Sequence, residues 1–210
     1  MKNLIVTVVC LIAAALAAPA QAQRAGPVGP TQDSYGPTAH QTPDDDGVIS
    51  PVSRDAGSIA EGLRVDGKCD RAVGLLRPIA ERGAGHEIAQ FNLGLCLFDL
   101  AKADHDAKHA GDLKAEGADW VLHAANGGFA KAQAMAVVLY LDGTGVAADP
   151  VEADKWAILY HGNGMRLGIG LPDTPPDVRK RLDAVVSDAQ DTEARKRARD
   201  WTPQVQAAEE

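Results

Sequence analysis

Apolar residues recur at spacings of three and four along most of this chain. Ala72, Leu75, Ile79 and Ala80 form one such face, closed by Gly83. Ala89, Leu93, Leu97 and Leu100 form a second. Trp120, Ala124 and Ala125 lead into Gly127-Gly128. Ala132, Ala136, Val137 and Tyr140 follow and stop at Gly143. A period near 3.6 places each set on one side of a helix, and no stretch alternates as a half-buried strand would. The pattern predicts an all-α chain from about Ser58. It ends in a helical region from Pro175 to about Trp201 that breaks near Ser187.

The boundaries have local causes. Glycine takes the left-handed conformation that closes a helix at low steric cost. Asp149-Pro150-Val151-Glu152 reads as a start: Asp149 can accept from free backbone N–H groups, and proline suits the first helical position. Thr174-Pro175-Pro176-Asp177 repeats that logic. Pro78 falls inside the first helical segment, where it removes one intrahelical bond.

Upstream the pattern changes. Met1-Lys2-Asn3 gives a positive start, Leu4 to Ala18 is apolar apart from Thr7, and Ala20-Gln21-Ala22 offers the small-x-small site of a signal peptidase. Residues 1–22 therefore read as a secretory signal peptide cleaved after about Ala22. The apolar run is about 15 residues, short of the ~20 that span a bilayer. Cys10 lies inside that run behind Val9, a poor context for lipid attachment. Residues 23–57 are rich in Pro and Gly and hold no Leu, Phe or Trp. Such a segment cannot bury enough apolar surface to offset the entropy of ordering, so a disordered tether is expected. Within it, the calcium-loop-like "TPDDDGVIS" has no acid at the first or last ligand position. The helical domain is expected over 58–202, with a disordered tail over 203–210.

The helical part repeats itself. Trp120 and Trp156 are 36 apart, as are Gly128 and Gly164. A weaker copy lies upstream: Leu75 stands for Trp120, Ile79-Ala80 for Ala124-Ala125, Gly83 for Gly128, and Ala89-Gln90 for Ala132-Gln133. A period in this range signals stacked helix pairs. The series Trp120…Ala124-Ala125…Gly128…Ala132-Gln133…Tyr140…Gly143-x-Gly145-Val146…Asp149…Ala153…Trp156 resembles the Sel-one-like repeat family, a relative of the tetratricopeptide repeats. The resemblance covers one repeat closely and residues 68 to 166 loosely. It implies an α/α superhelix, a short solenoid of about three antiparallel helix pairs. The first repeat lacks the Gly-x-Gly-Val turn and carries an insertion near Lys102 to Gly117. Tyr160-His161 stand where the family prefers two alanines. Gly143-Thr144-Gly145 is then the bend between repeats. No strand precedes it and no P-loop spacing surrounds it.

Composition narrows the chemistry. The 210 residues carry a net charge of −8, one unit more negative once Lys2 is removed. An acidic chain lacks the positive field that nucleic acids and anionic membranes require. Aromatic residues make up only 4%, so helices built largely of Ala and Gly are expected to pack closely. Trp120, Tyr140 and Trp156 are read as fillers between those helices, and Trp201 as the residue that packs the terminal helix back. Cys69 and Cys96 survive processing, and an exported pair is expected to be joined.

No Gly-x-Ser-x-Gly or Ser-x-x-Lys is present, and no catalytic residue or cofactor is expected. The sharpest metal candidate is "ADHDAKHAGD". His105 and His109 are four apart, on one face if helical, with Asp104, Asp106 and Asp112 near enough to add oxygen ligands to zinc.

The leading expectation is a periplasmic or secreted scaffold in a bacterial envelope that binds a protein partner, with no membrane insertion after the signal is removed. First helices of such pairs line the concave, partner-binding face. That nominates Asp119, His123 and Asn126 in one helix and Lys155 and Leu159 in another. Groove binding of a peptidoglycan fragment or other small ligand is the alternative, and a zinc-binding insertion at His105/His109 is a further one.

Overall fold

A computed structural model describes residues 51–204, with side chains from Ala56 onward. The expected signal peptide (1–22), most of the expected tether and the end of the tail (205–210) lie outside the described residues. Within them every regular element is helical: α1 Pro51–Val65, α2 Cys69–Ala80, α3 Glu87–Ala103, α4 Ala107–Asn126, α5 Ala130–Asp142, α6 Pro150–His161, α7 Gly164–Gly168, α8 Pro176–Val185 and α9 Asp188–Asp200. Each of α1 to α5 packs on the helix that follows it, and α6 takes α9, not the short α7, along its free side. No described helix is long and apolar enough to cross a membrane.

Local chemistry accounts for most boundaries. Asp149 accepts from Val151 N at 2.9 Å and Glu152 N at 3.2 Å, and Pro150 occupies the first turn of α6. Ser187 opens α9 with a capping box shared with Gln190, which is the break expected in the terminal region. Gly143 closes α5 at φ 66°. Gly145 (φ 74°) then brings the bend so near α4 that a Cβ there would lie 2.2 Å from the Lys114 carbonyl oxygen. Both positions therefore need glycine.

Two expected boundaries shift, and the insertion finds its place. The tether does not run to residue 57: α1 begins at Pro51, and its Ala60 is fully buried. Burial on a neighbouring helix supplies what composition lacked. The insertion near Lys102 to Gly117 is accommodated within regular helix. It lengthens two facing helices, so α3 has 17 residues and α4 has 20, against 12 or 13 in α2, α5 and α6. The tail is placed through Gln204, whose N–H donates to the Asn126 carbonyl at 2.8 Å.

Two apolar clusters form the core. One gathers Ala60, Cys69, Leu76, Leu93, Cys96 and Leu97 from α1 to α3, with Leu113 and Trp120 of α4 packed on it. The other gathers residues of α4 to α6, with Phe98 of α3 and Leu182 of α8; Trp201 packs against it. Cys69 and Cys96 form a disulfide with Cα atoms 5.0 Å apart, tying the start of α2 to the middle of α3. Where α3 crosses α4, Gly94 and Gly117 meet: a Cβ on Gly94 would come within 2.7 Å of the Gly117 carbonyl oxygen. This is the close packing that a small-residue composition implies.

Buried polar side chains fasten successive helices. Gln90 of α3 donates to the carbonyls of Ala80 and Gly83, both at 3.2 Å. Gln133 of α5 does the same to Ala125 at 3.4 Å. These are equivalent positions in the two copies read from the sequence, and they perform the same task. At the end of α6 the task passes to Arg166, which donates to the carbonyls of Tyr160 (3.0 Å), His161 (2.6 Å) and Leu171 (3.3 Å). A cation suits the negative end of the helix dipole.

Candidate functional site

A patch of aromatic and charged side chains centres on Trp120 of α4. Its indole body packs on the α1–α3 cluster, while Nε1 donates to Glu116 Oε1 one turn earlier at 3.2 Å. Arg77, reaching across from α2, forms an ion pair with the same carboxylate. The Arg77 bond is the main cause holding the Glu116 carboxyl below its ordinary range, with the Trp120 N–H adding to it against the cost of burial. On the next turn the His123 ring lies 5.6 Å from Trp120, tilted by 44°, and its Nε2 is 3.6 Å from Asp119. The result is an aromatic side chain held in one orientation, rimmed by a guanidinium, two carboxylates and an imidazole. Both members of the Asp119–His123 pair are exposed. An exposed ion pair stabilises little by itself, so these side chains are free to be recruited by another molecule at low cost.

The nominated residues divide. Asp119 and His123 come together in this patch. Asn126 lies one turn beyond, and its carbonyl is occupied by Gln204. Lys155 and Leu159 sit on α6, and among the described residues no hydrogen bond or ion pair joins them to the α4 group. Lys155 is largely covered: it pairs with Glu152, which also accepts from Arg197 of α9 at 2.8 Å, and it lies 4.3 Å over the Trp156 ring. Leu159 packs on the second cluster. Sequence reasoning missed Arg77 and Glu116. Glu116 stands four before Trp120 and seven before His123, a helical spacing that marked it as a neighbour. Arg77 carried no such signal, because its approach depends on how α2 meets α4.

The His105/His109 arrangement is different from the one its spacing suggests. Asp106 is the N-cap of α4, accepting from Lys108 N at 2.8 Å and His109 N at 3.1 Å. His105 therefore precedes the helix and does not share a helical face with His109. His109 instead pairs with Asp104. The Asp106 amide, donating at 2.8 Å, and the His109 imidazole hold the Asp104 carboxyl below its ordinary range. Among the described residues no group of three or more His, Cys, Asp or Glu side chains is placed to hold a metal ion. Leu100, Ala103 and Leu113 complete a shallow, open depression of about 450 Å³ beside these residues.

A second depression, of about 340 Å³, lies where α6, α8 and α9 meet, lined by Ala157, Ile158, His161, Asp173, Arg179 and Arg195 among others. His161 pairs with Asp173, and Arg179 with Asp183 at 2.8 Å. No family model matches the chain, and no curated protein is significantly similar to it.

Proposed function

We propose that this chain is an exported helical-repeat scaffold of the Sel-one-like type, which holds a protein partner in a bacterial envelope on the α2–α4 face around Trp120. Export rests on the leader pattern of residues 1–22. The repeat reading rests on one observation above the others: Gln90 and Gln133, equivalent in the sequence period, each fasten a second helix to the carbonyl end of the first. Two helix pairs built to one plan, α2–α3 and α4–α5, favour a stack whose first helices share a face. That face carries an anchored tryptophan with charged and imidazole groups around it. Aromatic residues and arginine are the types that dominate protein interfaces. The role is binding, with partner choice set by the Asp119–His123 pair.

The test uses tagged full-length protein in its native envelope, crosslinked and captured beside an Asp119→Ala/His123→Ala variant. The expected result is one reproducible protein partner, reduced at least about tenfold in the variant, the equivalent of 1.4 kcal/mol, with unchanged helicity by circular dichroism. Equal capture by both chains would remove this face from consideration. Capture of no protein by intact, folded chain would overturn the scaffold reading and favour a small envelope ligand.

A further inference from the structure

The exposed large apolar side chains of this protein fall mainly at the two ends of its helix series. Ile59 and Val65, the latter 70% exposed, are on α1. Met165, Leu167 and Ile169 are on α7 and just after it, the last two 62% exposed, and Val185 is on α8. Among the described residues, Ile88 of α3 is the one such side chain elsewhere. Each of α2 to α5 has a packed helix on both sides, while α1 packs on α2 and, to a lesser degree, on α3. Beyond α6 the chain makes α7, five residues long where α3 and α5 have 17 and 13.

The α7 end is firmly held. Asn163 Nδ2 donates to the Gly128 carbonyl at 2.9 Å and to Gln133 Oε1 at 2.8 Å. Tyr160 Oη donates to the Pro172 carbonyl at 2.7 Å, and the buried Arg166 bonds three further carbonyls. Met165, Leu167 and Ile169 lie within this pinned segment, so bonded backbone fixes their exposure. Clustered apolar side chains on a surface mark a contact site. A helix stack whose ends face water needs polar terminal elements, and here both ends carry apolar side chains. The two ends also differ in charge. Residues 41–68 hold six acids and three bases, with Asp44-Asp45-Asp46 shortly before α1. Residues 162–202 hold eight bases and seven acids, and Lys180, Arg181, Lys196 and Arg199 among them are exposed.

We propose that a second copy of this chain covers these ends: the α7 end of one copy seats on the α1 end of the next, in an open head-to-tail series. Met165, Leu167 and Ile169 meet Ile59 and Val65, and the exposed cations of α8 and α9 face the acids that precede α1. Two unlike ends on one chain make a heterologous contact, which extends without closing unless its rotation returns to the start. A few side chains on each side make a patch smaller than the ~800 Å² per partner of a stable interface. The association is therefore weak and depends on concentration, with single chains when dilute and short series when crowded. In the packing order α4 lies between the ends, so a series would present the Trp120 face once per copy. The inference itself does not rest on that face.

Sedimentation velocity of the full chain as recovered from the envelope tests this, from micromolar to millimolar concentration. Two variants each block one end: Ile59→Asp/Val65→Asp and Leu167→Asp/Ile169→Asp. All four side chains are exposed, so the core is untouched and helicity should be unchanged. The expected wild-type mass rises with concentration through two chains and beyond. Each variant alone associates at least about tenfold more weakly, a loss of 1.4 kcal/mol. An equimolar mixture of the two forms a one-to-one pair and nothing larger, because each supplies the intact end that the other lacks. A wild type that stays a single chain throughout overturns the proposal. So does a mixture that does not pair, or one variant that still associates with itself, which would mean a like-to-like contact. A wild-type measurement guards against a variant that does not fold. Crosslinking of isotopically mixed copies should join Lys68 of one copy to Lys180 of another, and links between copies that join only like residues refute the head-to-tail order.

Discussion

Gly94 and Gly117 touch backbone to backbone where α3 crosses α4, and neither has positive φ. Their need for glycine is therefore one of space. Gly117→Ala puts a methyl group 3.0 Å from the Gly94 carbonyl and 3.3 Å from Leu97 Cβ, so the helices must part. The expected cost is about 1–3 kcal/mol, in the range for overpacked cores, read as a lower denaturation midpoint with unchanged slope. Gly74→Ala is the control: it sits in α2 with nothing within 4 Å and should be neutral or slightly stabilising. Gln133 carries a second prediction. Its amide reaches the Ala125 carbonyl, and its Oε1 accepts from Asn163 Nδ2 at 2.8 Å. Gln133→Leu keeps the volume and strands these groups, for a loss of about 1–3 kcal/mol. Equal stability of variant and wild type would show that water replaces the amide. Both roles were only partly legible beforehand. The Ala-Gln recurrence marked Gln133 as equivalent to Gln90, whereas the abundance of glycine gave no sign of which one lay at a helix crossing.

At the scale of elements, legibility followed how local the determinant was. Asp149-Pro150, Ser187 and Gly143 each act within a few residues of the chain, and α6, α9 and the end of α5 fall where those signals place them. The Cys69–Cys96 bridge matches the pairing expected from the leader pattern and the cysteine count. Longer-range determinants were hidden. Nothing near Pro51 announces α1, because its stability comes from burying Ala60 against other helices. The "ADHDAKHAGD" stretch looked like a helical ligand pair because spacing was the visible feature. The N-cap preference of Asp106 decided otherwise by starting the helix after His105. Nothing in the sequence around Asp154 marks it as buried, yet it is 1% exposed in the folded chain. Capping makes its own prediction. Asp149→Ala removes the acceptor for two N–H groups at the start of α6 and should cost about 1 kcal/mol, with Asp149→Ser restoring most of it. Equal losses in the Ala and Ser variants would mean that the Asp149 carboxylate acts by charge alone.

Among the described residues the core divides along the chain, and the Cys69–Cys96 bridge lies in the first cluster, which α1 to α3 share with Leu113 and Trp120. The division into two clusters predicts that a change in one is felt weakly in the other. A bridge closing a loop of this size stabilises by roughly 3 kcal/mol in the chain-entropy model. Cys69→Ala/Cys96→Ala removes it without leaving reactive thiols. The expected outcome is uneven: amide exchange accelerates across α1, α2 and α3, while α5, α6 and α9 keep their protection. The border should fall in α3 and α4, which serve both clusters and cross tightly at Gly94 and Gly117. Because Trp120 stands on the first cluster, the partner capture proposed for the α4 face should weaken along with that protection, even though no residue of that face has changed. Uniform acceleration through every helix would show instead that the two clusters unfold as one cooperative unit, and that the α3–α4 crossing transmits strain along the whole chain.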